Sequence, residues 1–204
     1  MGLTKFLEHY KTNDSTKVSH TPIGGGGRWS IPSKEYKQLY KFIRKARDKG
    51  ELIPPLTEKM GDCHPLVFDF DMKYKDKLKK RPYSVNFLKH LSEFLWICIG
   101  EVIDIEDESR YNDVYLMGKS NPYPCTKEGY LSKDGIHILY PKIILNREVY
   151  KLLCELIQNK QDTLFKLFRD HCEIPPSNLD NTLFDGSFSR WMPYLCHKQG
   201  EEPY

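Results

Sequence analysis

Leu66-Val67-Phe68-Asp69-Phe70-Asp71-Met72 is the stretch whose reading decides the fold. Apolar and acidic residues alternate along it with period two, the spacing by which a strand sends successive side chains to opposite faces. Leu66, Phe68, Phe70 and Met72 therefore face a core, while Val67, Asp69 and Asp71 share the other face. Carboxylates two residues apart on a strand lie roughly 6–7 Å apart at Cα, close enough for their oxygens to converge. Side by side they repel, and each pKa rises unless a cation stands between them. A hard divalent ion such as Mg²⁺ meets that need, commonly with one or two protein carboxylates and substrate phosphates as ligands. An isolated Asp-x-Asp is more often the wet face of a half-exposed strand, so the rest of the chain must decide.

The chain's 204 residues suffice for one domain, or one domain with appendages. At 39% hydrophobic and 29% charged residues it can bury an ordinary core and is not disordered. A formal net charge of +3 does not by itself demand a nucleic-acid partner. The distribution says more, because Lys73-Tyr-Lys-Asp-Lys-Leu-Lys-Lys-Arg81 is a basic run directly after the acidic strand. Such runs are usually solvated loops, but Lys73, Lys75, Lys79, Lys80 and Arg81 could lie along a phosphate backbone. The six cysteines form no C-x-x-C pair, no secretory pattern opens the chain, and no apolar run is long enough to span a bilayer. Free thiols in an intracellular protein without a membrane partner are expected. Cys63-His64 and Cys196-His197 lack the close pairing of zinc ligands, so structural zinc is not expected.

In chain order, Leu3, Phe6, Leu7 and Tyr10 predict a short leading helix. Gly24-Gly25-Gly26-Gly27 ends on the cation Arg28; it reads as a flexible loop by default and as a phosphate cradle at its most functional. Trp29–Pro32 reads as a short strand or extended entry, and Ser33 as the cap of a helix stopped at Gly50. Pro54-Pro55 closes an N-terminal α/β extension, residues 1–55, ahead of a core spanning 56–204. Ser84 opens the clearest helix, which ends near Gly100. Val114–Met117 is a strand candidate, Asn121–Gly129 a loop, and Gly135–Tyr140 a second alternating strand ending at Pro141. Arg147–Ile157 and Asp162–Phe168 carry helical stripes broken at Asn159–Gln161, and Trp191–Cys196 is the last strand candidate. The order predicts an α+β fold, a βαββαβ sheet with helices on one face and the other face open for chemistry.

If Ile136, Ile138 and Tyr140 face the core, Lys133, Gly135 and His137 line the same open face as the two acids. A lone strand histidine is more often structural than a ligand. Here a glycine that permits close approach precedes it, and a lysine shares its face. An imidazole and an ammonium beside a metal-binding acid pair resemble a cradle for a triphosphate. Two-metal phosphoryl transfer calls for a third acid, and Asp180 and Asp185, each after an apolar residue, are both candidates. The turn-like Asp185-Gly186-Ser187 gives Asp185 a ready local use in capping, which favours Asp180.

Phe68-Asp-Phe-Asp71, Gly135-Ile-His137 and Leu179-Asp180 resemble the three motifs of the archaeo-eukaryotic primase superfamily. The likeness is nearest to the N-terminal primase domains of helicase–primases of large nucleocytoplasmic DNA viruses. It extends through Trp29–Pro32, Lys133–Pro141, Ser177–Asp180 and Trp191–Lys198 to Pro203-Tyr204. The resemblance implies an RRM-like catalytic sheet and template-directed addition of NTP or dNTP on single-stranded DNA. It implies Asp69, Asp71 and Asp180 as ligands of Mg²⁺ or Mn²⁺, and Lys133, His137 and Lys198 as phosphate-binding groups. Gly135 and Arg28 join them at the nucleotide, and Arg190 is a loose match to a family Asn-Arg pair. Leu195-Cys-His-Lys198 departs from the family's usual Gly-Ser-Ser-Lys. The resemblance further implies a superfamily 3 helicase domain in a longer chain, at a virus replication site in cytoplasm or nucleus. Two other readings compete. A metal-dependent nucleotide-sugar transferase also uses Asp-x-Asp, but has no need of the Gly-x-His strand. A non-catalytic RRM-like module would expose aromatics where this chain places acids.

Overall fold

Leu3, Phe6 and Leu7 recur at helical spacing and form the buried face of α1 (Leu3–His9). β1 (His20–Pro22) follows, and then a single 3₁₀ turn at Ser33–Glu35 leads into α2 (Tyr36–Asp48). Ser33 thus belongs to that turn rather than capping the helix. Leu39, Phe42, Ile43 and Ala46 make the apolar stripe of α2, and Gly50 ends it with φ of 66°, where a side chain would be strained. β1 pairs antiparallel with β2 (Leu56–Lys59), completing most of an N-terminal layer. The acidic stretch lies in β3 (Cys63–Tyr74), longer than Leu66–Met72. α3 (Val85–Val102) starts where expected, the Ser84 hydroxyl accepting from the Phe87 N–H at 3.3 Å.

Two short strands, β4 (Tyr115–Met117) and β5 (Tyr123–Pro124), precede β6 (Ser132–Asn146). β5 falls within the stretch read as loop, and β6 runs past Pro141. The register with β3 shifts between Pro65, opposite Ile144, and Leu66, opposite Tyr140. A proline lacks the N–H a ladder needs, and a bulge is where a strand tolerates it. Asn146 ends β6 and caps α4 (Arg147–Asn159), its side chain accepting from Val149 N–H at 2.8 Å. After a break at Lys160 come α5 (Gln161–His171), β7 (Asn178–Leu179) and β8 (Arg190–Trp191).

The structure is a computed structural model that describes residues 2–107, 113–180, 183, 190–192, 195 and 196. The chain divides into two units, Met1–Gly61 with Phe188–Tyr204, and Asp62–Ser187. The first holds the antiparallel sheet β1-β2-β8 and a core of Leu3, Phe6, Leu39, Ile43, Leu56 and their neighbours. Leu56–Lys59 pairs with β1 and β8 and belongs to the first unit. The expected last strand near Trp191 likewise joins β2, and Asn178–Leu179 takes the place beside β3. The second unit is the mixed α+β layer: strands in the order β4-β6-β3-β7, all antiparallel, with β5 added to β6. Leu66, Phe68, Phe70, Met72 and Tyr74 on β3 and Ile136, Ile138 and Tyr140 on β6 are buried. α3 covers that apolar face through Trp96, stacked on Tyr140, and α5 packs on α3 through Phe87 and Phe168. All six cysteines are free thiols.

His20 in the first unit is wholly buried against the Tyr36 ring, and burial lowers its pKa from 6.5 to about 4. The unfolded chain then binds a proton that the folded one refuses. Stability from neutral His20 is present above pH 6.5 and is lost as pH falls toward 4. His20→Phe keeps the packing and removes this dependence. Unfolding free energies of the two proteins from denaturant titrations between pH 7 and pH 4 should diverge by up to roughly 3 kcal/mol, wild type losing more.

Candidate active site

Strand alternation continues past the acid pair, so Asp69, Asp71 and Lys73 point to the face opposite the helices. The β3–β6 register sets Asp69 opposite His137, Asp71 opposite Gly135 and Lys73 opposite Lys133. Directly opposed residues share a face, so five polar side chains and one bare backbone position meet on a single patch of sheet. β7 brings the third acid alongside: Leu179 pairs with Met72, and the Asp180 N–H donates to the Asp71 carbonyl at 3.0 Å.

Each carboxylate has a different nitrogen-bearing neighbour. Lys133 Nζ donates to Asp71 Oδ2 at 2.6 Å, and Lys73 Nζ to Asp180 Oδ2 at 2.8 Å. His137 Nε2 stands 3.3 Å from Asp69 Oδ1. That contact has ion-pair distance but not hydrogen-bond geometry, so Oδ1 of Asp69 is buried without a donor among the described residues. Burial, and next the Asp69 charge, push the Asp71 carboxyl above the ordinary carboxylate range, against the pull of Lys133. Burial alone would lower Lys133, but the Asp71 carboxylate holds its ammonium above the usual value.

Among the described residues no three or more His, Cys, Asp or Glu side chains are grouped to hold a metal ion. Asp71 and Asp180 are turned to Lys133 and Lys73, and Asp69 to the His137 ring. The acid pair still suits a divalent cation chemically, since it carries a buried carboxylate oxygen lacking a donor and a neighbour whose ionisation is disfavoured.

The remaining candidates are distributed as follows. Lys73 was expected in a solvated basic run, but β3 extends through it, and it is 5% exposed and bound to Asp180. Arg81 is likewise drawn inward: its Nε and Nη2 meet the two oxygens of fully buried Asp134 at 3.1 and 3.3 Å. Lys75 and Lys79 are exposed, and Lys80 pairs with Glu173 at 2.9 Å. Arg28 and Arg190 belong to the other unit, where the Arg28 carbonyl accepts from Thr12 N–H and Arg190 reaches the Thr21 hydroxyl. Gly24, Gly25 and Gly26 before Arg28 all have positive φ. Asp185 and Lys198 lie outside the described residues.

The reading from sequence missed two features. Lys73 as the partner of Asp180 was within reach, since one more step of the alternation places it beside the acids. Tyr123 faces Lys133 across the β5–β6 pair and carries the Lys119 ammonium 3.8 Å above its ring; nothing in a Pro-rich loop signals that.

Comparison with known proteins adds two findings. The chain is similar to "Putative helicase 022R" of Frog virus 3 (isolate Goorha), 26% identical over 153 residues, which is 75% of this chain and 15% of that protein. No helix among the described residues is long and apolar enough to cross a membrane. The sequence model described as "C962R protein N-terminal AEP domain" matches residues 19–204, nearly the whole chain including every motif above, and the chain belongs to that family of archaeo-eukaryotic primase domains.

Proposed function

We propose that the chain is a template-directed DNA primase or primase-polymerase that adds NTP or dNTP by two-metal nucleotidyl transfer. The observation that carries this reading is the meeting of Asp69 and Asp71 with Lys133, His137 and Asp180 on one face of the sheet. The order β4-β6-β3-β7, with helices on the opposite face, supports an RRM-like βαββαβ sheet into which β5 is inserted. Asp69, Asp71 and Asp180 would hold Mg²⁺ or Mn²⁺, which when bound supplies charge neutralisation of the reacting phosphates. Lys133 and His137 bind and orient the triphosphate, and Gly135, without a side chain opposite Asp71, leaves room for it. Exposed Lys75 and Lys79 lie along the template in this reading. A helicase domain of superfamily 3 in the same polypeptide, acting at an intracellular site of virus replication, would supply unwound strand.

The test is direct. The 204-residue chain is incubated with labelled NTP or dNTP, Mn²⁺ and primed or unprimed single-stranded DNA, and products are resolved by length. Template-dependent addition is the expected result; transfer from a sugar nucleotide, or no incorporation with either nucleotide, overturns the reading. Lys133→Ala and His137→Ala should each raise the apparent KM for nucleotide about tenfold or more, since a charge-assisted contact is worth roughly 1.5–3 kcal/mol. If His137→Ala unfolds the protein while its soluble fraction keeps a normal KM, the imidazole serves the core instead.

A further inference from the structure

The first unit carries a charged surface that the acid-pair site does not use. Lys37, Lys41, Arg44 and Lys45 of α2 recur at i, i+4, i+7 and i+8, which sets them within about a 100° arc of one helix face. Lys34 in the preceding turn continues the row. All five are exposed, and among the described residues none is ion-paired. Like charges four apart destabilise a helix, and Lys37, Lys41 and Lys45 form two such pairs. The apolar face of α2 is fully occupied by the core, so packing holds the helix while this repulsion goes unrelieved.

Beside the row runs a groove of ≈ 880 Å³ lined by Lys34, Lys37, Tyr40, Lys41, Arg44 and Leu195. Glu35 is the acid that lines it among the described residues, and Asp48 sits at the far end of the cationic face. Tyr40 remains 38% exposed, so part of its ring is open to solvent beside the cations.

From this we propose that the α2 face is a binding surface for single-stranded nucleic acid. Lys34, Lys37, Lys41, Arg44 and Lys45 follow the phosphates, and Tyr40 offers a stacking surface to a base. A row of cations with an aromatic platform beside it is how strands are held without regard to sequence. The aliphatic residues and Phe42 of α2 are buried, which leaves Tyr40 as the exposed aromatic of the helix. The inference takes from the proposed function only that the chain works on a nucleic-acid strand.

Binding of fluorescent oligo-dT to the 204-residue chain is measured by anisotropy in EDTA, without nucleotide, across a salt series. The triple variant Lys37→Gln/Lys41→Gln/Arg44→Gln should bind at least about tenfold more weakly at 50 mM salt. Its slope of log K against log salt should be shallower by about 2, as expected for three lost phosphate contacts. The charge-matched control Lys89→Gln/Lys151→Gln/Arg169→Gln, exposed cations of the other unit, should change the slope little. Lys37→Arg/Lys41→Arg/Arg44→Lys should restore binding, which separates charge from folding. Tyr40→Leu should weaken binding to oligo-dT and leave binding to an abasic strand unchanged.

Equal losses in the triple variant and the control overturn the proposal. So does a triple variant that binds oligo-dT normally but no longer binds anionic phosphatidylserine vesicles or polyglutamate, which assigns the face to a membrane or an acidic protein. Because the assay needs no catalysis, a chain that binds through α2 but incorporates no nucleotide contradicts only the proposed reaction. A chain that makes primers while the triple variant binds normally contradicts only this surface.

Discussion

Asp69→Asn and Asp71→Asn should each lower nucleotide addition by on the order of a thousandfold or more, with the fold intact. In the proposed reaction the phosphates carry charge that must be neutralised as the new bond forms, and losing one carboxylate that would hold a metal ion would remove much of that neutralisation. Asparagine preserves shape, so the loss belongs to charge. A second readout separates this role from a structural one. In EDTA Asp69→Asn should melt higher than wild type, because Asp69 is one of the causes pushing Asp71 away from ionisation. A gain of about 1 kcal/mol would appear as a rise of roughly 2–4 °C in a chain of this size. Asp71→Asn shares the relief from repulsion but strips Lys133 of its partner at 2.6 Å, so its melting temperature should rise less. Addition of Mn²⁺ should raise the wild-type melting temperature more than that of either variant. Full activity of either variant in saturating Mn²⁺ would sink the two-metal reading.

The strands and helices that carry this site were readable because each had a local signal with one interpretation. Alternation over Leu66–Met72 survives as β3, the stripe after Ser84 as α3, and the break near Lys160 as the gap between α4 and α5. That Gly135 and His137 share a face with Asp69 and Asp71 followed from parity, while which stands opposite which is set by the β3–β6 register. What parity could not supply was partner choice over distance. A two-residue strand such as Asn178–Leu179 has no periodicity to read, and its place beside β3 is fixed by the ladder and by Asp180 N–H on Asp71 O. The same limit applied to Leu56–Lys59, which carried no strand signal of its own, and to Arg190–Trp191, which pairs with β2 instead of joining the acidic sheet. Charge signs were equally ambiguous. Lys73 and Arg81 stand in one basic run with Lys75 and Lys79, yet the first two are committed to Asp180 and Asp134, and only the tertiary fold shows which cations have an acid waiting.

Arg81→Ala tests that distinction, and it should be the most destabilising single change in the second unit considered above. Asp134 is fully buried, and the Arg81 guanidinium meets both of its oxygens while also donating to the Lys119 carbonyl and lying 5.0 Å from the centre of the Tyr83 ring. Deleting one member of a buried pair leaves the other charge desolvated and uncompensated, a cost of about 3–5 kcal/mol. Arg81 keeps 28% of its side chain exposed, so water can partly reach the vacated position and the lower end of that range applies. The melting temperature should fall by roughly 6–12 °C. The double variant Arg81→Met/Asp134→Asn removes both charges, keeps most of the volume and leaves an amide oxygen to accept from the Gly135 N–H, so it should recover much of the loss. Oligo-dT affinity of Arg81→Ala, measured well below its melting temperature, should stay within about twofold of wild type. An unchanged melting temperature together with a lost salt-dependent increment of DNA binding would return Arg81 to the template-facing run with Lys75 and Lys79.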